Sequence, residues 1–208
     1  QGDIDWALVK ASGIDFAILR ASRGKFYSKS EKKTYKTSKD DKFDEYAAGA
    51  LEAGIEIGAY HYLYATTVAD AVKEAQFFLE TVKPYKMTYP LVLDVEEADQ
   101  KALGSAKLSK IVDAFMAEVE AAGYYAMLYS SKNWLSSGVY ESYINDKYAI
   151  WLAQWHTAPT YKGDFAIWQY SCTGSVPGII GDVDMNISYK NYPEIMRTYS
   201  LNNLHWFE

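Results

Sequence analysis

Two acids stand two residues apart in the stretch Leu91-Val92-Leu93-Asp94-Val95-Glu96. The apolar run before them, bounded by Pro90 and rich in branched residues, reads as a short buried strand. Side chains at i and i+2 of a strand share a face, so the two carboxyls would emerge together. Burying acids is costly unless they are hydrogen-bonded or protonated. A strand ending in this pair is therefore a candidate carboxylate active site. The competing reading is one solvated Glu and one helix-capping Asp.

The elements that must position the pair alternate regularly. Trp6 to Ser12 reads as a short helix stopped by Gly13, with Asp3 or Asp5 at its positive end. Phe16–Ala21 reads as a strand, and the Lys/Ser/Thr-rich residues 22–41 as a long surface loop. A helix from Phe43 to Ala53, a strand from Ile55 to Tyr64 and a helix capped by Thr66 or Thr67 and ending near Val82 follow. After the acid-bearing strand come a helix from Ser105 to Ala122, a strand at Tyr125–Ser130 and a short helical piece at Lys132–Leu135. The rhythm then changes. Ala149–Trp155, Phe165–Tyr170 and Asp182–Asn186 read as strands joined by turns.

Strands alternating with helices imply βαβ units and a parallel sheet. Seven strands with polar or aromatic ends suggest a TIM-like α/β barrel, with the site on the loops at its C-terminal face. The chain opens on a helix where such barrels open on a strand, so the first strand is expected to lie outside this sequence. The barrel is expected to span residues 1–198, and residues 199–208 to form a C-terminal tail or the start of a linker.

Composition narrows the class. At 208 residues the chain fits one domain, and its 49% hydrophobic content suffices for a full core. A net charge of −6 argues against nucleic acid as a partner. The basic cluster from Lys25 to Lys42 is broken by Glu31, Asp40 and Asp41 and reads as a solvated loop. One cysteine, Cys172, excludes an internal disulfide framework. There is no apolar run long enough to span a membrane. Nineteen Tyr and six Trp in one acidic domain suit stacking on sugar rings as well as core packing.

Collected at the strand ends are Arg20 and Ser22, Tyr60 and Tyr62, Asp94 and Glu96, Tyr129 and Ser130, Gln154 and Trp155, Gln169, and Asp182 and Asp184. Four acids ringed by Tyr, Trp and Gln fit glycoside hydrolysis. That reaction needs one protonated carboxyl for the leaving oxygen and one carboxylate to stabilise or attack the anomeric carbon. Crowding of the acids would raise at least one of their pKa values.

Six motifs, in order, resemble glycoside hydrolase family 25. They are Gln1-Gly2-Asp3-Ile4-Asp5-Trp6, Gly58-Ala59-Tyr60-His61-Tyr62, Leu93-Asp94-Val95-Glu96, Trp151-Leu152-Ala153-Gln154-Trp155, Trp168-Gln169-Tyr170 and Asp182-Val183-Asp184-Met185-Asn186. The family comprises N-acetylmuramidases, phage endolysins and bacterial autolysins among them. The resemblance implies an irregular barrel of the (β/α)5(β)3 type, with eight strands and five helices. It implies Glu96 as general acid, Asp94 as the group orienting Glu96 or the substrate's acetamido group, and Asp182 and Asp184 as tuners of the site's charge. Tyr60, Tyr62, Tyr129, Gln154, Trp155, Gln169 and Arg20 would bind substrate. The expected partner is bacterial cell-wall peptidoglycan, met outside the cell by a monomer that is secreted or phage-encoded. No cofactor, metal, nucleic acid or membrane is expected. In one respect the chain departs from the pattern: the family's first strand carries an Asp-x-Ser-type motif before the Gln-Gly, and this sequence begins at Gln1.

Cα atoms at i and i+2 lie roughly 6.5 Å apart, which leaves the carboxyls between the retaining and inverting separations. Retention assisted by the substrate's own 2-acetamido group is the expected course. Two other readings stand beside the muramidase: a non-catalytic glycan-binding barrel, suggested by the absent first-strand Asp, and a metal-dependent hydrolase, which lacks a His at ligand spacing to the acids. His61, pointing away from Tyr60 and Tyr62, is expected in the core, and His156 in a loop. Trp151 and Trp155 share one face and Gln154 the other, so not all three can line one cleft. For Arg20, pairing with an acid is as good a reading as substrate binding.

Overall fold

A computed structural model describes residues 1–28 and 30–206. Lys29, within the basic cluster, and Phe207 and Glu208, at the end of the expected tail, lie outside the described residues.

The main sheet has eight strands. Five parallel neighbours of the first, β1 (Phe16–Arg23), follow in order: β5 (Glu56–Tyr62), β6 (Leu91–Asp94), β7 (Ala126–Ser131), β8 (Ala149–Ala153) and β9 (Ile167–Gly174). β10 (Val183–Ser188) returns antiparallel to β9, and β4 (Ser38–Lys39) pairs antiparallel with the end of β1. The parallel strands are the expected ones, and the curled mixed sheet is that of the irregular TIM-like barrel. Among the described residues, Phe16–Arg20 of β1 and the outer edge of β10 pair with no further strand, so the sheet curls without closing.

Helices α2 (Phe43–Glu52), α3 (Val68–Val82) and α5 (Ser105–Ala121) cover the outside. Each follows its strand because a cap or glycine sets the boundary. Asp5 caps α1 (Trp6–Ala11) by accepting from Leu8 N–H at 3.0 Å, and Thr67 caps α3 by accepting from Asp70 N–H at 3.2 Å. Phe43, Phe78, Phe115, Ile57 and Leu93 form the layer between sheet and helices, all fully buried. A second cluster fills the inside of the curl: Val92, Met127, Trp151 and Ile167 from the strands, with Tyr192 and Met196 of α8 (Tyr192–Thr198). α8, which the sequence pattern does not predict, thus packs into the inside of the curl.

Three expectations change. The segment 22–41 is not an irregular loop. It folds as a hairpin, β2 (Phe26–Ser28) with β3 (Lys33–Tyr35), followed by β4. Phe26, stacked on Tyr35 at 4.9 Å and on Tyr64 at 4.6 Å, gives it an aromatic anchor that the polar composition hid. Second, β6 stops at Asp94, so Glu96 lies beyond the strand and the i, i+2 argument does not place it. Glu97 is already the N-cap of α4 (Ala98–Lys101), its N–H donating to Gln100 Oε1 at 3.2 Å. Third, α6 (Lys132–Ser136) is joined by an additional helix, α7 (Ser142–Lys147).

Beyond α8, Asn202 ties the chain to the base of the sheet. Asn202 is fully buried in left-handed backbone; its Nδ2 donates to Met87 O at 2.8 Å and Tyr89 O at 2.9 Å, and its Oδ1 accepts from Tyr125 N–H at 2.8 Å. No helix among the described residues is long and apolar enough to cross a membrane.

Candidate active site

The strand ends converge on a cavity of about 930 Å³ that opens at the C-terminal mouth and runs down the open seam between β1 and β10. Arg20, Tyr60, Tyr62, Asp94, Glu96, Tyr129, Gln169 and Asp184 all line it. Register explains why. Tyr62, Asp94 and Tyr129 lie directly opposite one another across β5, β6 and β7, and Trp151 sits opposite Tyr129 on β8. Parallel strands put these side chains in one row.

Asp94 is 6% exposed, and its Oδ1 has no hydrogen-bond partner. Burial first, then the charges of Glu96 and Glu97, push its carboxyl well above the usual carboxylate range, against the pull of Arg20. Glu96 stands in the loop after β6 with its outer side open to solvent. Partial burial raises its pKa, as do Glu97 and Asp184, while the Tyr62 hydroxyl draws it down. Asp184 is raised by burial alone. The site therefore holds three carboxyls whose proton affinity is raised, each by burial first.

Two residues outside the expected set complete it. Glu97 accepts the Tyr62 hydroxyl at 2.7 Å. Its sequence signal was the acid-x-x-Gln capping pattern with Gln100, whose buried amide also bonds Leu63 O at 2.8 Å. Asp40 takes Arg20 through Nε at 2.7 Å and Nη2 at 2.6 Å, so the arginine is paired while still facing the cavity. Nothing in the spacing of Asp40 pointed to that pairing.

On the far wall, Gln169 Oε1 accepts from Tyr129 OH at 3.0 Å and Trp155 Nε1 at 2.8 Å. Trp155 is 60% exposed, an indole held by its N–H with its ring in solvent. Trp155 is not part of the cavity wall, whereas Trp151 lines it, its Nε1 donating to Asn186 Oδ1 at 2.8 Å.

Not every expected residue arrives. Gln154 turns away; its Oε1 accepts from Thr160 N–H at 2.9 Å and Tyr161 N–H at 3.2 Å, bracing the loop after β8. Asp182 is exposed and absent from the cavity wall, and its carbonyl accepts from Gln1 Nε2 at 3.0 Å. His61 is buried behind β5 as expected, and His156 is exposed.

An α/β barrel sheet with acids and aromatic platforms at the C-terminal strand ends defines the class of barrel glycoside hydrolases. Within that class the chain belongs to glycosyl hydrolases family 25, whose family model matches residues 1–179. It is 30% identical over 200 residues to lysozyme M1 of Streptomyces globisporus, covering 89% of this chain and 64% of that protein. It is likewise 30% identical to the autolytic lysozyme of Clostridium acetobutylicum, covering 89% of this chain and 52% of that one. The chain thus spans about half to two thirds of the length of these curated relatives. Among solved structures, the bacterial lysozyme of Streptomyces coelicolor superposes with a TM-score of 0.75 at 27% identity, covering 98% of this chain and 94% of that one. The CTP1L endolysin shares the fold with a TM-score of 0.78 at 24% identity, covering 95% of this chain and 66% of that one.

Proposed function

We propose that residues 1–198 form the catalytic domain of a peptidoglycan hydrolase acting on the bacterial wall from outside the cell. It would cut the β-1,4 bond between N-acetylmuramic acid and N-acetylglucosamine. The observation that carries this reading is the crowd of raised carboxyls, Asp94, Glu96 and Asp184, in one cavity walled by Tyr60, Tyr62, Tyr129 and Trp151.

Glu96 is the general acid. It gives its proton to the glycosidic oxygen as the C1–O bond breaks, and the carbonyl oxygen of the substrate's own 2-acetamido group bonds C1 from the opposite face. Water then opens the resulting ring, losing its proton to Glu96 and restoring both the acid and the configuration at C1. Asp94 Oδ1, buried and unpartnered, accepts the acetamido N–H. In the empty site the carboxyls of Asp94 and Glu96 are both raised, Asp94 by its burial first. An N–H donated to Asp94 favours its carboxylate form, and the proton passes to Glu96, the two acids titrating as a pair. Trp155 and Tyr62 offer ring faces to the sugars, and Asp184 keeps the proton affinity of Glu96 high.

The deciding experiment is digestion of purified cell walls followed by analysis of the new reducing ends. Loss of turbidity with muramic acid at the reducing end is expected. Walls that sediment with the protein but stay intact would instead mean a glycan-binding barrel.

A further inference from the structure

The β2–β3 hairpin remains outside the chemistry above, and its charge is out of keeping with the rest of the chain. Residues 23–42 carry eight cations against three acids, a net of +5, in a protein whose net charge is −6. The remaining residues therefore hold −11. Within the segment, Lys39 pairs with Asp44, and Lys42 pairs with Asp3 and Glu45. Lys25, Lys32, Lys33 and Lys36 are exposed and make no ion pair among the described residues. Like charges concentrated in one place repel one another, and with no ion-pair partner for these four among the described residues the segment favours an external anion.

The hairpin is also joined to the cleft. Tyr62, on the cavity wall, contacts Tyr64 at 5.0 Å; Tyr64 stacks on Phe26 at 4.6 Å, and Phe26 on Tyr35 at 4.9 Å. Lys33 Nζ lies 4.8 Å from the Tyr35 ring, and the Arg23 guanidinium, another cavity-lining group, lies 4.9 Å from Phe26. A ladder of rings thus leads from the acids to the lysines.

We propose that the hairpin is a second binding element, and that it takes the carboxylates of the stem peptides on the glycan strand lying in the cleft. This rests on the peptidoglycan reading of the site. Exposed, separately mounted lysines suit several carboxylates at variable spacing, whereas a single phosphate is better held by an arginine fork. The lysines steer the strand toward the mouth and hold it by charges that salt screens.

The test compares Glu96→Gln protein, which should bind without cutting, with the same protein carrying Lys25→Gln, Lys32→Gln, Lys33→Gln and Lys36→Gln. Affinity is measured for soluble strands bearing stem peptides, for strands stripped of peptide, and for poly(glycerol phosphate). At about 20 mM salt the four substitutions should weaken binding of peptide-bearing strands about tenfold. At about 0.5 M salt the difference should vanish. Stripped strands should bind both proteins alike. Unchanged affinity for peptide-bearing strands, equal losses on both kinds of strand, or a loss confined to poly(glycerol phosphate) would each overturn the proposal. If the unmutated chain binds peptide-bearing strands through these lysines yet never cuts them, the hydrolase reading fails and this one stands.

Discussion

The Tyr62 hydroxyl donates to Glu97 at 2.7 Å although Asp94 is its direct neighbour across the β5–β6 pair. Tyr62 is thereby fixed by the residue that caps α4, and Asp94 is left without a donor at Oδ1. A buried acceptor with no partner costs stability. It is retained where a ligand can satisfy it.

Glu96→Gln keeps the size of the side chain and removes the transferable proton. Wall-lytic activity should fall by at least about a hundredfold with the thermal midpoint unchanged. Retention of more than about a tenth of the rate would end the general-acid assignment.

Asp94→Asn should stabilise the protein while it impairs catalysis. The folded-state pKa of Asp94 lies above its unfolded value of 3.8. Its favourable contribution is therefore complete below that value and is lost as pH rises through the folded pKa. At pH 7 the wild type bears the cost of burying a charge or of taking up a proton on folding, and the amide bears neither. A gain of about 1 kcal/mol would appear as a midpoint roughly 2–4 °C higher in a chain of this size. Near pH 3 the gain should shrink. A midpoint that falls at pH 7 would contradict the burial argument.

The pH dependence of cleavage should respond to Asp184. Its charge helps to raise the carboxyl of Glu96, so Asp184→Asn should let that pKa fall. The descending limb of the kcat/KM profile, where the acid is lost, should then move to lower pH. An unmoved limb would place the proton elsewhere.

Trp155→Ala should act on binding. The indole is anchored at Nε1 and is largely open to solvent. Loss of a stacking contact of about 0.5–1.5 kcal/mol should raise KM several-fold and leave kcat nearly intact. A large fall in kcat would mean that Gln169 and Tyr129, tied to the same indole, had been displaced.

Much of this was legible in the chain because local signals agreed with the global fold. The apolar runs at Phe16, Ile55, Leu91 and Ala126, each before or after a capped helix, gave the strand order directly. The converging residues Tyr60, Tyr62, Asp94 and Tyr129 followed from strand periodicity. Other features depended on partners distant in sequence. Phe26 and Tyr35 read as isolated aromatics in a polar stretch until Tyr64 supplied their packing surface. Gln154 and Asp182 read as site residues because they sit at strand ends, but strand ends also begin loops. There the amide of Gln154 met Thr160 and Tyr161 before it could meet the cleft. Strand periodicity does not place Glu96, since β6 ends at Asp94 two residues earlier; its role as acid is what the resemblance to the family implies.

The buried chain Ser22–His61–Glu74 yields the last prediction. Ser22 Oγ lies 2.8 Å from His61 Nδ1, and His61 Nε2 lies 3.0 Å from Glu74 Oε2, with all three residues almost wholly enclosed. Burial depresses the imidazole pKa despite the carboxylate beside it, so the ring is neutral and carries one N–H. A carboxylate can only accept, which places that proton on Nε2 and makes Ser22 the donor to Nδ1. Glu74 also accepts from Tyr64 N–H at 3.2 Å, directly below the hairpin. A Cβ on Gly24 would overlap the Glu74 carboxylate, and this carboxylate cannot swing aside without abandoning His61. Gly24→Ala should therefore cost about 1–3 kcal/mol, whereas alanine at the uncrowded Gly2 should cost little. Because the folded pKa of His61 is depressed, its contribution is present above about 6.5 and is lost as pH falls through the folded value. The stability gap between Gly24→Ala and wild type, followed by thermal unfolding from pH 8 to pH 4, should narrow toward acid as the network loses its worth in both. A gap that stays constant would show that Gly24 serves the backbone alone.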